Sequence, residues 1–335
     1  MKIAITGGAG FVGSRLSRAY LDAGHDVLVI DNLARGARQD VDGRARFYQL
    51  DIRDPEVQQV LRQERPDVVS HHVAPCAVAF PAESLLADAD VQLRGLLNVL
   101  DGCVSASVTK FIYASNGSTL YRPVPMPGTD QHSFHIVTED TSLCPQRPND
   151  INRLAGEWYV RHYAQEHGLV YTILRYAQIY GESCREWARH PVTYFVDMLA
   201  RNERPVIRGS ASDLRDHIHI DDVVRANLRI LERGRNCTMH ISSGEGYTLT
   251  QLFEAVAAQL SSDLSPVRIG SATAEPTALV LDNTLACQQL GWQPQIDMAE
   301  GIQRAVETLR GQNAPLQERA IPAHASVVDA VLAHA

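Results

Sequence analysis

The sequence predicts an α/β fold, a doubly wound parallel sheet followed by a smaller C-terminal lobe. Three observations carry this reading. Short apolar runs alternate with helix-length amphipathic segments through the first half of the chain. The first of these runs feeds a glycine-rich turn that opens the first helix. After about residue 175 the alternation loses its regularity and helix-like segments predominate.

The apolar runs fall at 3–6, 26–30, 46–50, 68–73, 110–114 and 170–174. They are nearly continuous in apolar residues, as strands covered on both faces are. Amphipathic stretches such as 13–23 and 89–103 supply the covering helices. Ligands of such sheets sit at the carboxyl ends of the strands. Residues 1–175 are therefore expected to form the nucleotide-binding domain. Residues 176–312, with helix-like segments at 191–200, 221–233, 249–260 and 298–310, are expected to form a substrate-binding lobe interleaved with it. The stretch 123–135, rich in Pro, Gly and polar residues, reads as a loop beside the fifth strand. Residues 313–335 read as a tail, a connector followed by a short terminal helix.

Composition narrows the functional classes. The 335 residues include 45% apolar ones, enough for a large core, and 39 acidic against 31 basic side chains give a formal charge of −8. That balance disfavours nucleic acid as a partner. The six cysteines are scattered, without a CxxC pair or a His-rich cluster, so no metal site is expected and the thiols read as reduced. Met1 leads straight into a strand-like segment, and no stretch of 18 uncharged apolar residues follows. A soluble, cytoplasmic protein without a membrane partner is expected.

Gly7, Gly10 and Gly13 lie between the first strand and the first helix. Their missing side chains permit a tight turn and let a pyrophosphate approach backbone N–H groups at the positive end of the helix, where Phe11 and Val12 begin the first turn. Asp31 closes the next strand 18 residues after Gly13. A carboxylate there accepts hydrogen bonds from both ribose hydroxyls and repels a 2′-phosphate, which favours NAD over NADP. Arg35 and Arg38 are the residues that could partner a phosphate instead.

Further segments follow in order. They are LDI at 50–52, HVA at 72–74, KFIYAS at 110–115, LRYAQIYG at 174–181, RDHIHIDD at 215–222 and LGWQP at 290–294. Together with TGGAGFVG at 6–13 they resemble the NAD-dependent nucleotide-sugar epimerases and dehydratases, the extended short-chain dehydrogenases, over most of the chain up to about Arg310. The resemblance implies a Rossmann fold, NAD as cofactor, a nucleotide-diphosphate sugar as ligand and a homodimer. It places Asn32, Asp51 and Ile52 near the adenosine, and Val73 and Ala74 behind the nicotinamide. Ser115 and Gln178 fall near the sugar nucleotide. Arg215 falls on its diphosphate, for which a guanidinium fork is better suited than a lysine. Asp213 and Asp216 offer Arg215 an ion pair instead.

The chemistry of that family needs a Tyr-x-x-x-Lys helix and a hydroxyl from its fourth strand, which KFIYAS at 110–115 resembles. Aligned on Pro145 and LAGE, the tyrosine position holds Asn149 and the lysine position holds Arg153, while Gly117 occupies the hydroxyl position. Ser118 is the candidate replacement hydroxyl, with Ser115 and Thr119 close by. Arg153 keeps a permanent charge and donors with which to hold a ribose, but relays protons poorly. Asn149 can orient a hydroxyl or carbonyl and cannot act as its base. Two readings stay open. In one, another residue supplies the base, with His132 and His135 from the lengthened loop, His72, Tyr121 and Asp150 as candidates. In the other, the protein binds NAD and a nucleotide-sugar without turnover.

Overall fold

A computed structural model describes residues 1–73, 85–126, 136–181, 190–269 and 276–312. At its centre β1 (Lys2–Thr6) lies between β2 (Asp26–Ile30), which continues to β3 (Arg46–Tyr48), and β4 (Val68–His71), which continues to β5 (Lys110–Asn116). Strands Val170–Tyr176 and Cys237–Ile241 complete seven strands, every pair of them parallel. The chain winds outward from β1 through β2 and β3, then restarts on the other side at β4. The carboxyl ends of β1 and β4 therefore frame the crevice where a doubly wound sheet binds its ligand.

Alternation along each strand divides the core. Ile3 and Ile5 of β1 and Ile112 of β5 pack with Leu16 and Tyr20 of α1 (Phe11–Asp22) and with Val223, Ala226 and Ile230 of helix Ile220–Ile230. Ala4, Phe111 and Tyr113 face the opposite layer, with Leu61, Val99, Leu100 and Val160 of helices Glu56–Glu64, Leu96–Ser105 and Pro148–His167. Each fully buried aliphatic side chain contributes about 1.5–3 kcal/mol relative to exposure, so neither face can be left uncovered. The helix expected over 89–103 starts earlier and changes pitch. It runs as Leu85–Ala89, a π-helical turn Asp90–Gly95, and Leu96–Ser105.

A second sheet forms around Leu214–His219, which pairs with Gln178–Tyr180, Gly246–Tyr247 and Thr277–Leu281. Val124–Pro125 and Ile136–Val137 add to Thr277–Leu281. The stretch expected as a loop at 123–135 thus begins with a short strand, and 127–135 lies outside the described residues. Helices Pro191–Ala200, Leu249–Leu260 and Met298–Gln312 build a third core. A cut at residue 175 does not part the sheets, because Cys237–Ile241 returns to the first and Val124–Pro125 leaves it for the second. The tail 313–335 lies outside the described residues. Among the described residues no helix is long and apolar enough to cross a membrane.

Candidate active site

The nucleotide end is built by close backbone approach. Gly7 has φ +75°, and a Cβ there would stand 2.8 Å from the backbone of His72 at the end of β4. A Cβ on Gly13 would overlap the Gly7 carbonyl oxygen. Gly10 caps α1 without a side-chain bond, so the first-turn N–H groups of Phe11, Val12 and Gly13 have no intrahelical acceptor and are available to an anion. The buried Asp31 accepts from Ala9 N at 2.9 Å and from Leu33 N at 2.8 Å, one bond to each carboxylate oxygen. Each oxygen retains a lone pair for a ribose hydroxyl. Arg38 lies over the Phe47 ring at 4.8 Å. These residues fit a dinucleotide: the glycine cradle matches a pyrophosphate and Asp31 its ribose.

Asn32 and Asp51 are joined, Asn32 Nδ2 donating to Asp51 Oδ2 at 2.8 Å. Arg53 grips the same carboxylate with two bonds of 2.8 Å and holds its pKa down to about 2. Asp51 is therefore an anchored anion at the rim. Ile52 is buried, with Gly95 opposite it leaving the space its side chain fills.

At the other end of the crevice Arg153 is buried, its Nη1 donating to Ala114 O at 3.0 Å and Val73 O at 3.3 Å. It clamps the carboxyl ends of β4 and β5. The rest of its guanidinium lies against Tyr113, with Cζ 5.8 Å from the ring centroid. His71 hydrogen-bonds Thr6 at 2.8 Å and stacks between Phe111 and Tyr113, and burial lowers its pKa to about 3. His72 bonds Ser70 at 2.9 Å and is lowered to about 3 by burial and by the Arg153 charge. A ring whose proton affinity is pushed down this far is a weak proton acceptor, which disfavours His72 as a base.

Three sequence candidates are placed away from the role expected of them. Ser115 shares the Tyr113 face of β5, the face turned to helix Pro148–His167, and donates to the fully buried Glu157 at 2.6 Å. The expectation that it meets the sugar nucleotide is corrected by that pleat. Asn149 donates its amide to Asp88 Oδ1 at 3.2 Å, beside Asn152 and Gln92 on Oδ2, so this donor is committed within the protein. Tyr121 is buried, accepts from Arg175 at 2.6 Å and pairs with His240 Nε2 at 2.7 Å, and burial raises its pKa to about 12. It is not an available base. Ser118 is half-buried at the start of the short helix Gly117–Leu120, its N–H bonded to Asn116 Oδ1. A Cβ on Gly117 would overlap Leu281 Cδ1, so a hydroxyl at position 117 requires the buried Leu281 side chain to shift. Ala74, His132 and His135 lie outside the described residues.

Sequence reasoning named Thr119 and Asp150 separately without pairing them, and missed Glu157. Thr119 Oγ1 donates to Asp150 Oδ1 across the gap between the Gly117–Leu120 and Pro148–His167 helices. Glu157 receives Ser115, Arg161 and both arms of Arg175, a buried knot under the site. An acid in the middle of a covered helix face was its only sequence signal.

In the second sheet Gln178 pairs in register with His217, and Arg215 projects to the same face two residues earlier. Arg215 donates to Asp213 at 3.0 Å and to Thr277, taking the ion pair its sequence neighbours offered. Its Nε and the Gln178 amide have no partner among the described residues. His217 Nδ1 meets His190 Nε2 at 2.6 Å, and His190 Nδ1 accepts from Val192 N, so His190 donates to His217. Asp216 is fixed by Ser243, Gly244 and Leu281. Among the described residues no cluster of His, Cys, Asp and Glu is arranged to hold a metal ion.

The family model for the NAD dependent epimerase/dehydratase family matches residues 3–241. The UDP-glucose 4-epimerase of Mycolicibacterium smegmatis is 28% identical over 324 residues, covering 93% of this chain and 100% of that relative. The UDP-glucose 4-epimerase of Thermotoga maritima, solved with UDP-glucose, superposes with a TM-score of 0.86 at 33% identity, covering 93% of this chain and 99% of that one. The UDP-glucose 4-epimerase of Thermus thermophilus, solved with NAD, gives a TM-score of 0.82 at 29% identity, covering 93% and 100%.

Proposed function

Because the chain belongs to the NAD dependent epimerase/dehydratase family, with NAD as its cofactor, we propose that it modifies a nucleotide-diphosphate sugar, with 4-epimerisation of a UDP-sugar as the leading case, through an acid/base site that lacks the tyrosine. The observation that carries this reading is Arg153. It occupies the lysine position, and the carbonyls of Val73 and Ala114 hold its guanidinium at the carboxyl ends of β4 and β5, beside the crevice. NAD, when bound, accepts and returns the hydride. The chain holds its pyrophosphate on the glycine turn, one ribose on Asp31 and the other on Arg153. The solved relatives with UDP-glucose and with NAD support the same pairing of ligands. Gln178 and Arg215 face the sugar nucleotide, Arg215 exchanging Asp213 for a phosphate.

The alternative is a binding protein without turnover, and the Asn149 bond to Asp88 favours it, since the tyrosine position serves helix packing. Incubation with NAD and UDP-, dTDP-, GDP- and CDP-sugars, followed by NMR and mass spectrometry, separates the two. A new C4 signal at unchanged mass supports the enzyme. Tight binding with every sugar unaltered supports the binding protein.

The exposed Leu86, Ile151, Trp158 and Tyr159 lie on the two helices that flank the crevice. Trp158 is 63% exposed and Leu86 84%. A patch of this kind suits a homodimer formed through those helices. Sedimentation of wild type against Trp158→Glu tests it, a dimer for the first and a monomer for the second being expected.

A further inference from the structure

Two positions that should carry acid/base groups hold none. Position 117 is a glycine whose Cβ would have to displace Leu281 Cδ1, and position 149 holds an amide tied to Asp88. Displaced by two residues on one helix and by one on the other, a hydroxyl and a carboxyl meet instead: Thr119 donates to Asp150. Thr119 is half-buried, in the helix that begins where β5 ends at the crevice. Asp150 is only 4% exposed. It sits one helical turn before Arg153, on the same side of Pro148–His167, and Arg153 in turn bonds Ala114 O on β5. The pair therefore joins the two elements that bound the site, the carboxyl being the more deeply buried of its two groups.

We propose that Thr119 and Asp150 form the proton relay of this site, a reading that rests on the chain turning over a nucleotide-sugar. The substrate is a secondary hydroxyl of the sugar. Its O–H proton passes to Thr119 Oγ1 as the Thr119 proton passes to Asp150 Oδ1. The hydrogen on the same carbon leaves with its electron pair to NAD, and the C–O bond becomes C=O. Return of the hydride to the opposite face of the C=O, with the proton passing from Asp150 through Thr119 to oxygen, gives the epimer. The threonine touches the substrate and the aspartate takes up the charge.

The holoprotein with UDP-glucose and UDP-galactose tests this through Asp150→Asn, Thr119→Val and Thr119→Ser. The first two are expected to lower kcat by about 100-fold or more with KM nearly unchanged. Thr119→Ser should recover to within about tenfold, since a serine hydroxyl can make the same relay. The acid limb of the wild-type pH–rate profile should vanish in Asp150→Asn. A second readout needs no turnover. In carboxyl-labelled protein the Asp150 NMR signal, assigned by its loss in Asp150→Asn, should move when UDP-glucose binds, stay still with UDP alone, and stay still in Thr119→Val. A pair that only braces two helices would respond equally to UDP and UDP-glucose. Wild-type kcat and pH profile in Asp150→Asn overturn the relay. If the wild type turns over no sugar, the enzyme reading fails instead, and an Asp150 signal indifferent to the sugar overturns the Thr119 contact separately.

Discussion

The amide of Asn149 donates to Asp88 Oδ1 at 3.2 Å, across 61 residues of sequence. The residue in the tyrosine position thus fastens helix Pro148–His167 to helix Leu85–Ala89. Asp88 also receives Asn152 and Gln92, so one lost donor leaves its carboxylate served. Asn149→Ala should cost about 1 kcal/mol in urea unfolding, the net worth of one such bond, and change NAD affinity by less than about twofold. A tenfold loss of NAD affinity in calorimetry would show that Asn149 serves the cofactor.

Asp31 ties Ala9 N to Leu33 N, so its carboxylate shapes the turn as well as awaiting a ribose. Asp31→Ala removes the ribose acceptor and loosens the turn together. A 10- to 100-fold rise in the NAD dissociation constant is expected, about 1.4–2.8 kcal/mol. Equal affinity of wild type and variant removes the assigned ribose contact.

Glu157 is fully buried and takes two arms of Arg175, at 2.9 and 2.7 Å. Glu157→Gln leaves a buried guanidinium without its counter-charge, and such a break costs about 3–5 kcal/mol. The double variant Glu157→Gln/Arg175→Met removes the orphaned charge and should regain part of that loss. Chemical denaturation of the three proteins measures it, and a single-variant loss below about 1 kcal/mol contradicts the account.

The contrast between these residues explains what the sequence could tell. The strands of the parallel sheet and the glycine turn were legible because burial on both faces and backbone approach act on local residue types. Gly7 accordingly stands in the turn between β1 and α1, and Asp31 directly follows β2. Ser115 was misplaced because a motif fixes its position along β5 but not the face, which the strand's alternation turns to Glu157. Asn149 and Thr119 were opaque for another reason. Their partners Asp88 and Asp150 are set by how two helices meet, and the π-helical turn Asp90–Gly95 alters that meeting in a way no local pattern announces. The Pro123 to His135 stretch reads as loop because its composition is that of a turn, while the pairing of Val124–Pro125 with Thr277–Leu281 comes from the far end of the chain.

Acid should unfold this protein through its buried histidines. Burial lowers His71 and His217 to about 3 and His240 to about 4. Unfolded, they titrate near 6.5. Between those values the unfolded chain binds more protons, so stability is full above about pH 6.5 and falls as pH drops toward 3. His217→Phe deletes one such site. The slope of unfolding free energy between pH 6 and 4.5 should become shallower by about 1 kcal/mol per pH unit. Stability at pH 8 should also drop, because His190 loses its acceptor. An unchanged acid slope contradicts the neutral His217.

Restoring the missing hydroxyl at position 117 should fail, and the reason is steric. A Cβ there overlaps Leu281 Cδ1 and stands 3.2 Å from the carbonyl oxygens of Arg175 and Tyr176. Leu281 is fully buried and cannot move aside freely, and overpacking of this kind costs about 1–3 kcal/mol. Gly117→Ser is therefore expected to lose stability and gain no turnover. Joined to Asn149→Tyr and Arg153→Lys, it still meets Leu281, whereas Leu281→Ala in the same background opens the space at a cost of about 2–5 kcal/mol for the emptied core. Sugar turnover followed by NMR, with thermal melts on each variant, reads both effects. Activity that rises with Gly117→Ser alone would show that the strand end shifts to admit the hydroxyl, and the closed position on which the Thr119 and Asp150 displacement rests would no longer stand.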